Sequence, residues 1–272
     1  MRLPRRYASD AGLRIAYVCT GAGPPILLLH GLGGTADFWQ PLIERLAGRF
    51  TVIAPDLLGF GFSDKPDDLA YTPERHEQAV CAVLEACGVS RLDAVVGHSC
   101  GGAIAVSLLA AGEITTTRLC LAATPYPSPR FPVRAELLRS PRDRAMMTWR
   151  PVAQLVHHTV MLFWPLISRY VVPPELQGAW VGYMDHTIAS YVGTAEACLF
   201  RANLDPLLPA LRTIPTLLLY SPNDQTVPFV HGSRLAERLP QSVLRTTRGD
   251  HYAVLRLGLP PLLAWLDSDR QQ

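Results

Sequence analysis

The chain has 272 residues, 49% of them hydrophobic and 18% charged, which is enough apolar material for one large α/β domain or two small ones. A formal net charge of +2, with no run of like charges, excludes a nucleic-acid groove or a charged binding tail. Only Lys65 among the 25 Lys and Arg residues is a lysine, so amine-based covalent chemistry has almost nowhere to reside.

Six cysteines, Cys19, Cys81, Cys87, Cys100, Cys120 and Cys198, are scattered without a Cys-x-x-Cys pair, several of them inside apolar runs. They read as reduced core residues and not as disulfides or metal ligands. The basic start Met1-Arg2-Leu3-Pro4-Arg5-Arg6 is followed by no apolar segment, so secretion is not expected. The most apolar window, 152–172, carries His157, His158 and Arg169 and is broken by Pro165, which disfavours a membrane span. A soluble cytoplasmic protein is the expectation.

In chain order, 13–20 alternates as a strand and 21–25 is a turn. Ile26-Leu27-Leu28-Leu29-His30 is an all-apolar run that suits a strand buried on both faces of a parallel sheet. The glycine-rich His30-Gly31-Leu32-Gly33-Gly34 follows, then an amphipathic helix over about 35–47. Further strands are predicted at 51–55, 92–96, 118–123, 215–220 and 243–247. Helices are predicted at 73–87, 101–111, after the 221–228 loop to about 239, and at 252–266. Strand alternating with helix predicts a doubly wound, mostly parallel sheet with ligands at the carboxyl ends of its strands.

The rhythm breaks between 125 and 203, where nine of the 24 prolines fall between Pro125 and Pro174. This section reads as a helical lid inserted into a core formed by 1–124 and 204–272. Trp149, Phe163, Trp164, Trp180 and Tyr183, with Met146, Met147, Met161 and Met184, are candidates to line an apolar pocket, against the alternative that they pack only the lid itself. The six arginines from Arg130 to Arg150 read as a solvated face.

Chemistry is concentrated in Gly97-His98-Ser99-Cys100-Gly101, a Gly-x-Ser-x-Gly between an apolar strand and a small-residue helix. The flanking glycines allow a turn that lifts the serine hydroxyl clear of the sheet, which makes Ser99 the candidate nucleophile. Serine needs a base, and the base needs a carboxylate that fixes its tautomer. His251 and Asp224 follow the last two predicted strands and so fall on the same sheet edge as Ser99. Asp250 is too close in sequence to His251 to bond its ring, and Asp205 precedes its strand. His30 reads as a brace for the loop after it. His76 and His231 lie in helix-like segments and read as surface or packing residues, while His157, His158 and His186 fall in the lid. The N–H groups of Cys100 and Leu32 are the candidate oxyanion donors. No metal or organic cofactor is required.

Together with Ala54-Pro55-Asp56-Leu57-Leu58-Gly59-Phe60-Gly61-Phe62-Ser63-Asp64, these motifs make the chain resemble a lidded α/β-hydrolase over nearly its whole length. The 56–64 stretch is similar to that of epoxide hydrolases and haloalkane dehalogenases. Those use an aspartate nucleophile where this chain has Ser99, so the resemblance points to their serine relatives: esterases, lactonases, perhydrolases, thioesterases and carbon–carbon bond hydrolases. The last often carry asparagine where His98 stands. Asp250, between a glycine and a histidine that are frequently adjacent, is another departure.

The resemblance implies hydrolysis of an ester, lactone or thioester of an apolar small molecule, as in the carboxylic ester hydrolases. A carbon–carbon hydrolase or a lyase- or cyclase-like tailoring enzyme on the same triad is the alternative, and a non-catalytic ligand-binding protein is the alternative of another class. A homodimer is admitted.

Overall fold

A computed structural model describes residues 3–134, 185–252, 254–255 and 258–268, with the single positions 138, 155, 159, 162, 163 and 166. Ten strands lie in the described residues: β1 (Arg6–Asp10), β2 (Leu13–Thr20), β3 (Pro25–Leu29), β4 (Thr51–Pro55), β5 (Arg91–Leu92), β6 (Ala94–His98), β7 (Thr115–Thr116), β8 (Leu119–Ala122), β9 (Thr216–Tyr220) and β10 (Ser242–Thr246). Eight form one sheet in the order β1-β2-β4-β3-β6-β8-β9-β10. From β4 to β10 every pairing is parallel, and β1 and β2 are antiparallel at one edge. β5 and β7 pair separately.

The apolar run of β3 sits in the middle of this sheet because both of its faces are covered. Leu27 and Leu29 point into one core with Val95, Leu121 and Leu218, and Ile26 and Leu28 point into the other with Val96, Cys120 and Leu219. The four side chains from Ile26 to Leu29 are fully buried, each contributing about 1.5–3 kcal/mol relative to exposure.

The helices follow from the same two-sided burial. α1 (Gln40–Leu46) brings Leu42, Ile43 and Leu46 to the second core, preceded by a 3₁₀ turn, Ala36–Trp39, where one continuous helix was predicted. Pro41, whose ring cannot donate a backbone hydrogen bond, lies at the junction. α2 (Pro73–Ala86) starts at the Thr72 cap with proline in its first turn, and α3 (Cys100–Ala111) ends on Gly112 at φ 79°; both cover the first core.

Beyond β8, α4 (Ile188–Ala195) opens with a Thr187–Ser190 capping box and runs into a π turn, Glu196–Phe200. α5 (Val230–Arg238) follows the loop after β9. The closing helix, α6 (Leu259–Asp267), has Gly258 at its N-cap and proline in its first turn, where it costs no hydrogen bond, and the helical residues Val254 and Leu255 before it also fall within the predicted 252–266.

The six cysteines are free thiols. Among the described residues no helix is long and apolar enough to cross a membrane, and no group of three or more His, Cys, Asp or Glu side chains could hold a metal ion.

Candidate active site

Ser99 leaves the end of β6 and becomes the N-cap of α3 at φ 52°, ψ −125°, a conformation that L-residues rarely adopt. The neighbours enforce it. A Cβ on Gly97 would stand 2.6 Å from the Cα of Gly102, and one on Gly101 would stand 2.3 Å from the carbonyl oxygens of both Leu29 and His30. The turn is therefore closed by backbone packed against backbone, and only hydrogen fits. Ser99 N–H donates to the Ala122 carbonyl at 2.9 Å, which pins the elbow to β8. As the first residue of α3, Cys100 has an N–H with no acceptor inside the helix.

The loop from His30 to Gly34 runs beside the elbow, since a Cβ on Gly31 would meet that of Ser99 at 2.9 Å. His30 braces this loop. Leu57 N–H donates to its Nε2 at 2.9 Å, so that nitrogen bears no proton and Nδ1–H donates to the Gly31 carbonyl at 2.8 Å. Burial lowers its pKa. Asp56, from the 56–64 stretch, holds the far side of the loop: it accepts from Ala36 N–H at 2.7 Å and Phe62 N–H at 2.9 Å, and pairs with the buried Arg5 guanidinium. That stretch thus ties loops together.

The adjacency of β9 and β10 brings their exit loops together. Asp224 Oδ1 accepts from the N–H groups of Thr226 and Val227, both at 2.8 Å, and its Oδ2 lies 2.8 Å from Nδ1 of His251. Both side chains are buried. The Asp224 carboxylate accepts a hydrogen bond from Nδ1–H, which keeps the ring proton on Nδ1 and leaves the Nε2 lone pair free. Among the described residues no hydrogen bond joins Ser99 Oγ to His251; such bonds often tighten only with substrate.

The residue inserted before His251 has a local explanation. The Asp250 side chain accepts from Tyr252 N–H at 3.1 Å and its carbonyl from Val254 N–H at 3.1 Å, closing a turn around His251. Ser221 Oγ donates to the Gly249 carbonyl at 2.6 Å and secures the loop from the β9 side. Asp205 lies apart from His251 and bonds the Tyr126 hydroxyl and Arg238.

His98 went unassigned in the sequence, and its ring is buried between Phe38 and His251, with centroids 4.8 Å from each. Its Nε2 lies 3.0 Å from the His251 carbonyl oxygen. No sequence signal marks this contact, which spans 153 residues.

His76 and His231 are both fully buried packing residues, His76 beside Thr194 and His231 accepting from Tyr126 N–H. His186, expected within the 125–203 insertion, stacks on Tyr191 at 4.7 Å. Phe163 is 47% exposed. Trp149, Trp164, Trp180 and Tyr183 lie outside the described residues.

Residues 24–132 match the alpha/beta hydrolase fold family. Over 246 residues the chain is 36% identical to a 2-hydroxymuconate semialdehyde hydrolase from Pseudomonas, covering 86% of this chain and 82% of that one. An uncharacterized Mycobacterium tuberculosis protein is 43% identical over 95 residues, a match that spans 35% of this chain and 27% of that protein's length. Among solved structures, an esterase from Rhodococcus superposes with a TM-score of 0.73 at 25% identity over 97% of this chain and 98% of its own. A Bacillus anthracis bromoperoxidase does so with a TM-score of 0.78 at 20% identity over 97% and 99%, a likeness of fold.

Proposed function

Since this chain belongs to the α/β-hydrolase family, we propose that it is a serine hydrolase that cleaves an ester, lactone or thioester bond of an apolar small molecule. The observation that carries this reading is the strained Ser99 at the head of α3, on the same sheet edge as a His251 whose Nδ1 is engaged by Asp224. Ser99 Oγ attacks the acyl carbon as His251 Nε2 takes its proton. The oxyanion forms against the N–H groups of Leu32 and Cys100, and the proton then passes to the leaving oxygen or sulfur, leaving an acyl-enzyme. Water, deprotonated by the same imidazole, releases the acid. The Rhodococcus relative of like fold is named as an esterase, which supports the substrate class.

The test is hydrolysis of short p-nitrophenyl esters together with labelling of Ser99 by a fluorophosphonate. Native protein should do both and Ser99→Ala neither. A folded protein that binds small apolar ligands but resists the probe would instead be a carrier.

Residues 125–203, with Trp149, Phe163, Trp164, Trp180 and Tyr183, complete the reading as an apolar lid over the site. Each methylene buried there should contribute about 0.8 kcal/mol, near fourfold in specificity constant, until the cavity fills. Specificity constants that stay flat from acetyl to octanoyl esters, and do not respond to Trp164→Ala or Trp180→Ala, would remove the lid from substrate binding.

A second reading is favoured by the Pseudomonas relative, whose name assigns it 2-hydroxymuconate semialdehyde as substrate. The same triad could then cleave a carbon–carbon bond of an unsaturated oxo acid. Turnover of such acids at rates above those of esters would select it.

A further inference from the structure

We propose that His98 is a positioning residue that holds the His251 loop in register with the nucleophile elbow. The inference rests on the hydrolase reading, in which His251 is the base.

His98 is joined to Ser99 by one peptide bond, so its backbone is fixed wherever β6 and the elbow are fixed. Its ring meets two other loops. Nε2 lies 3.0 Å from the main-chain carbonyl oxygen of His251. A carbonyl can only accept, so Nε2 carries the proton and donates it. The other ring nitrogen faces the oxyanion loop: a Cβ on Gly31 would stand 3.1 Å from Nδ1. Phe38, from the 3₁₀ turn that continues that loop, lies against the ring at 4.8 Å. One imidazole therefore touches the chain carrying the candidate base and the chain carrying a candidate oxyanion donor, and is bonded to the chain carrying the nucleophile.

The ring suits this task only when neutral. It is buried, and burial first, then the nearby His251 ring, pushes its pKa well below 6.5. A neutral imidazole delivers a directed N–H without placing a fixed positive charge beside the imidazolium that His251 must become. Asp250 explains why such an anchor is useful. The turn it closes around His251 is local, and local bonds do not define where the turn sits relative to the sheet. Ser221 secures it from β9, and His98 secures it from β6. Near the reacting atoms, displacement of about 1 Å can cost on the order of 100-fold in rate.

The experiment compares His98→Phe, which keeps the ring packing and removes the donor, with His98→Gln, whose amide can restore an N–H to the His251 carbonyl. With p-nitrophenyl butyrate, His98→Phe should lose about 10- to 100-fold in kcat with KM little changed. His98→Gln should recover most of that loss. Amide exchange at Tyr252 and Val254, whose N–H groups close the turn, should quicken in the Phe variant and slow again in the Gln variant.

A His98→Phe protein with native kcat overturns the proposal, as does a loss confined to KM or a Gln variant as impaired as the Phe one. If the Phe variant does not fold, His98→Leu carries the same comparison. Should the native protein neither hydrolyse esters nor label at Ser99, the hydrolase reading fails on its own account. The anchor is then judged by amide exchange alone, and unchanged protection at Tyr252 and Val254 overturns it.

Discussion

Asp224 and His251 are 27 residues apart in sequence, yet Oδ2 of one lies 2.8 Å from Nδ1 of the other, because parallel β9 and β10 discharge their loops side by side. The second carboxylate oxygen is occupied by the N–H groups of Thr226 and Val227, which leaves Oδ2 no freedom to turn away. Asp224→Asn should therefore keep the geometry and spoil the tautomer. An amide nitrogen facing Nδ1 donates where the carboxylate accepted, so the ring proton moves to Nε2 and the base is lost. A fall in kcat on the order of 10⁴-fold is expected, with an unchanged melting temperature, from steady-state ester kinetics and calorimetry.

Ser99 holds a backbone conformation that costs about 1–3 kcal/mol for a residue with a side chain. Ser99→Gly should relieve that strain, less about 0.5–1 kcal/mol for the freer unfolded glycine, and so raise the melting temperature by a few degrees while abolishing ester hydrolysis. Ser99→Ala, which keeps a Cβ, should be equally inactive without the gain. Identical melting temperatures for the two variants would show that the elbow stores no strain.

The carbonyl oxygens of Leu29 and His30 would each lie 2.3 Å from a Cβ on Gly101, and neither can yield without moving the sheet. Gly101→Ala should destabilise the fold by about 1–3 kcal/mol in urea unfolding and depress activity with it. Gly48, where a Cβ meets nothing within 4 Å, is the control: Gly48→Ala should stay within about 0.5 kcal/mol of native.

His76 is fully buried, and burial lowers its pKa from 6.5 to about 3. Below pH 6.5 the unfolded chain takes up a proton that the folded chain refuses, so the stability tied to the neutral ring is complete above pH 6.5 and drains away towards pH 3. The loss runs at up to about 1.4 kcal/mol per pH unit. Urea unfolding of native protein and His76→Gln at pH 7 and pH 4 should show the native protein losing about 3 kcal/mol more over that interval. Parallel losses would mean that His76 is not held neutral.

Much of the sheet was legible because parallel strands buried on both faces are apolar at nearly every position, as in β3, β6, β8 and β9. β1 escaped notice since only Ala8 of its five side chains is buried, and Tyr7 is half exposed under the Arg14 guanidinium. β5 and β7 are too short to show any period. At the site, the spacing of Gly97, Ser99 and Gly101 reflects steric exclusion that the chain must encode locally. The placement of Asp224 and His251 followed from strand order. The roles of His98, His76 and Asp250 did not, because each depends on a partner that only the tertiary packing or a local turn supplies.

The bonds of His30 bear on proton counting. Its Nε2 cannot be protonated without ejecting the Leu57 N–H, and its burial opposes the charge as well. His98 is likewise discouraged from charging by burial and by its neighbour. Neither scaffold imidazole should therefore add a proton-dependent step of its own to catalysis. A plot of log kcat/KM against pH should descend with a limiting slope of one, about tenfold per pH unit. A slope of two would mean that a scaffold histidine takes up a proton together with the base, and that acid dismantles the site instead of merely silencing it.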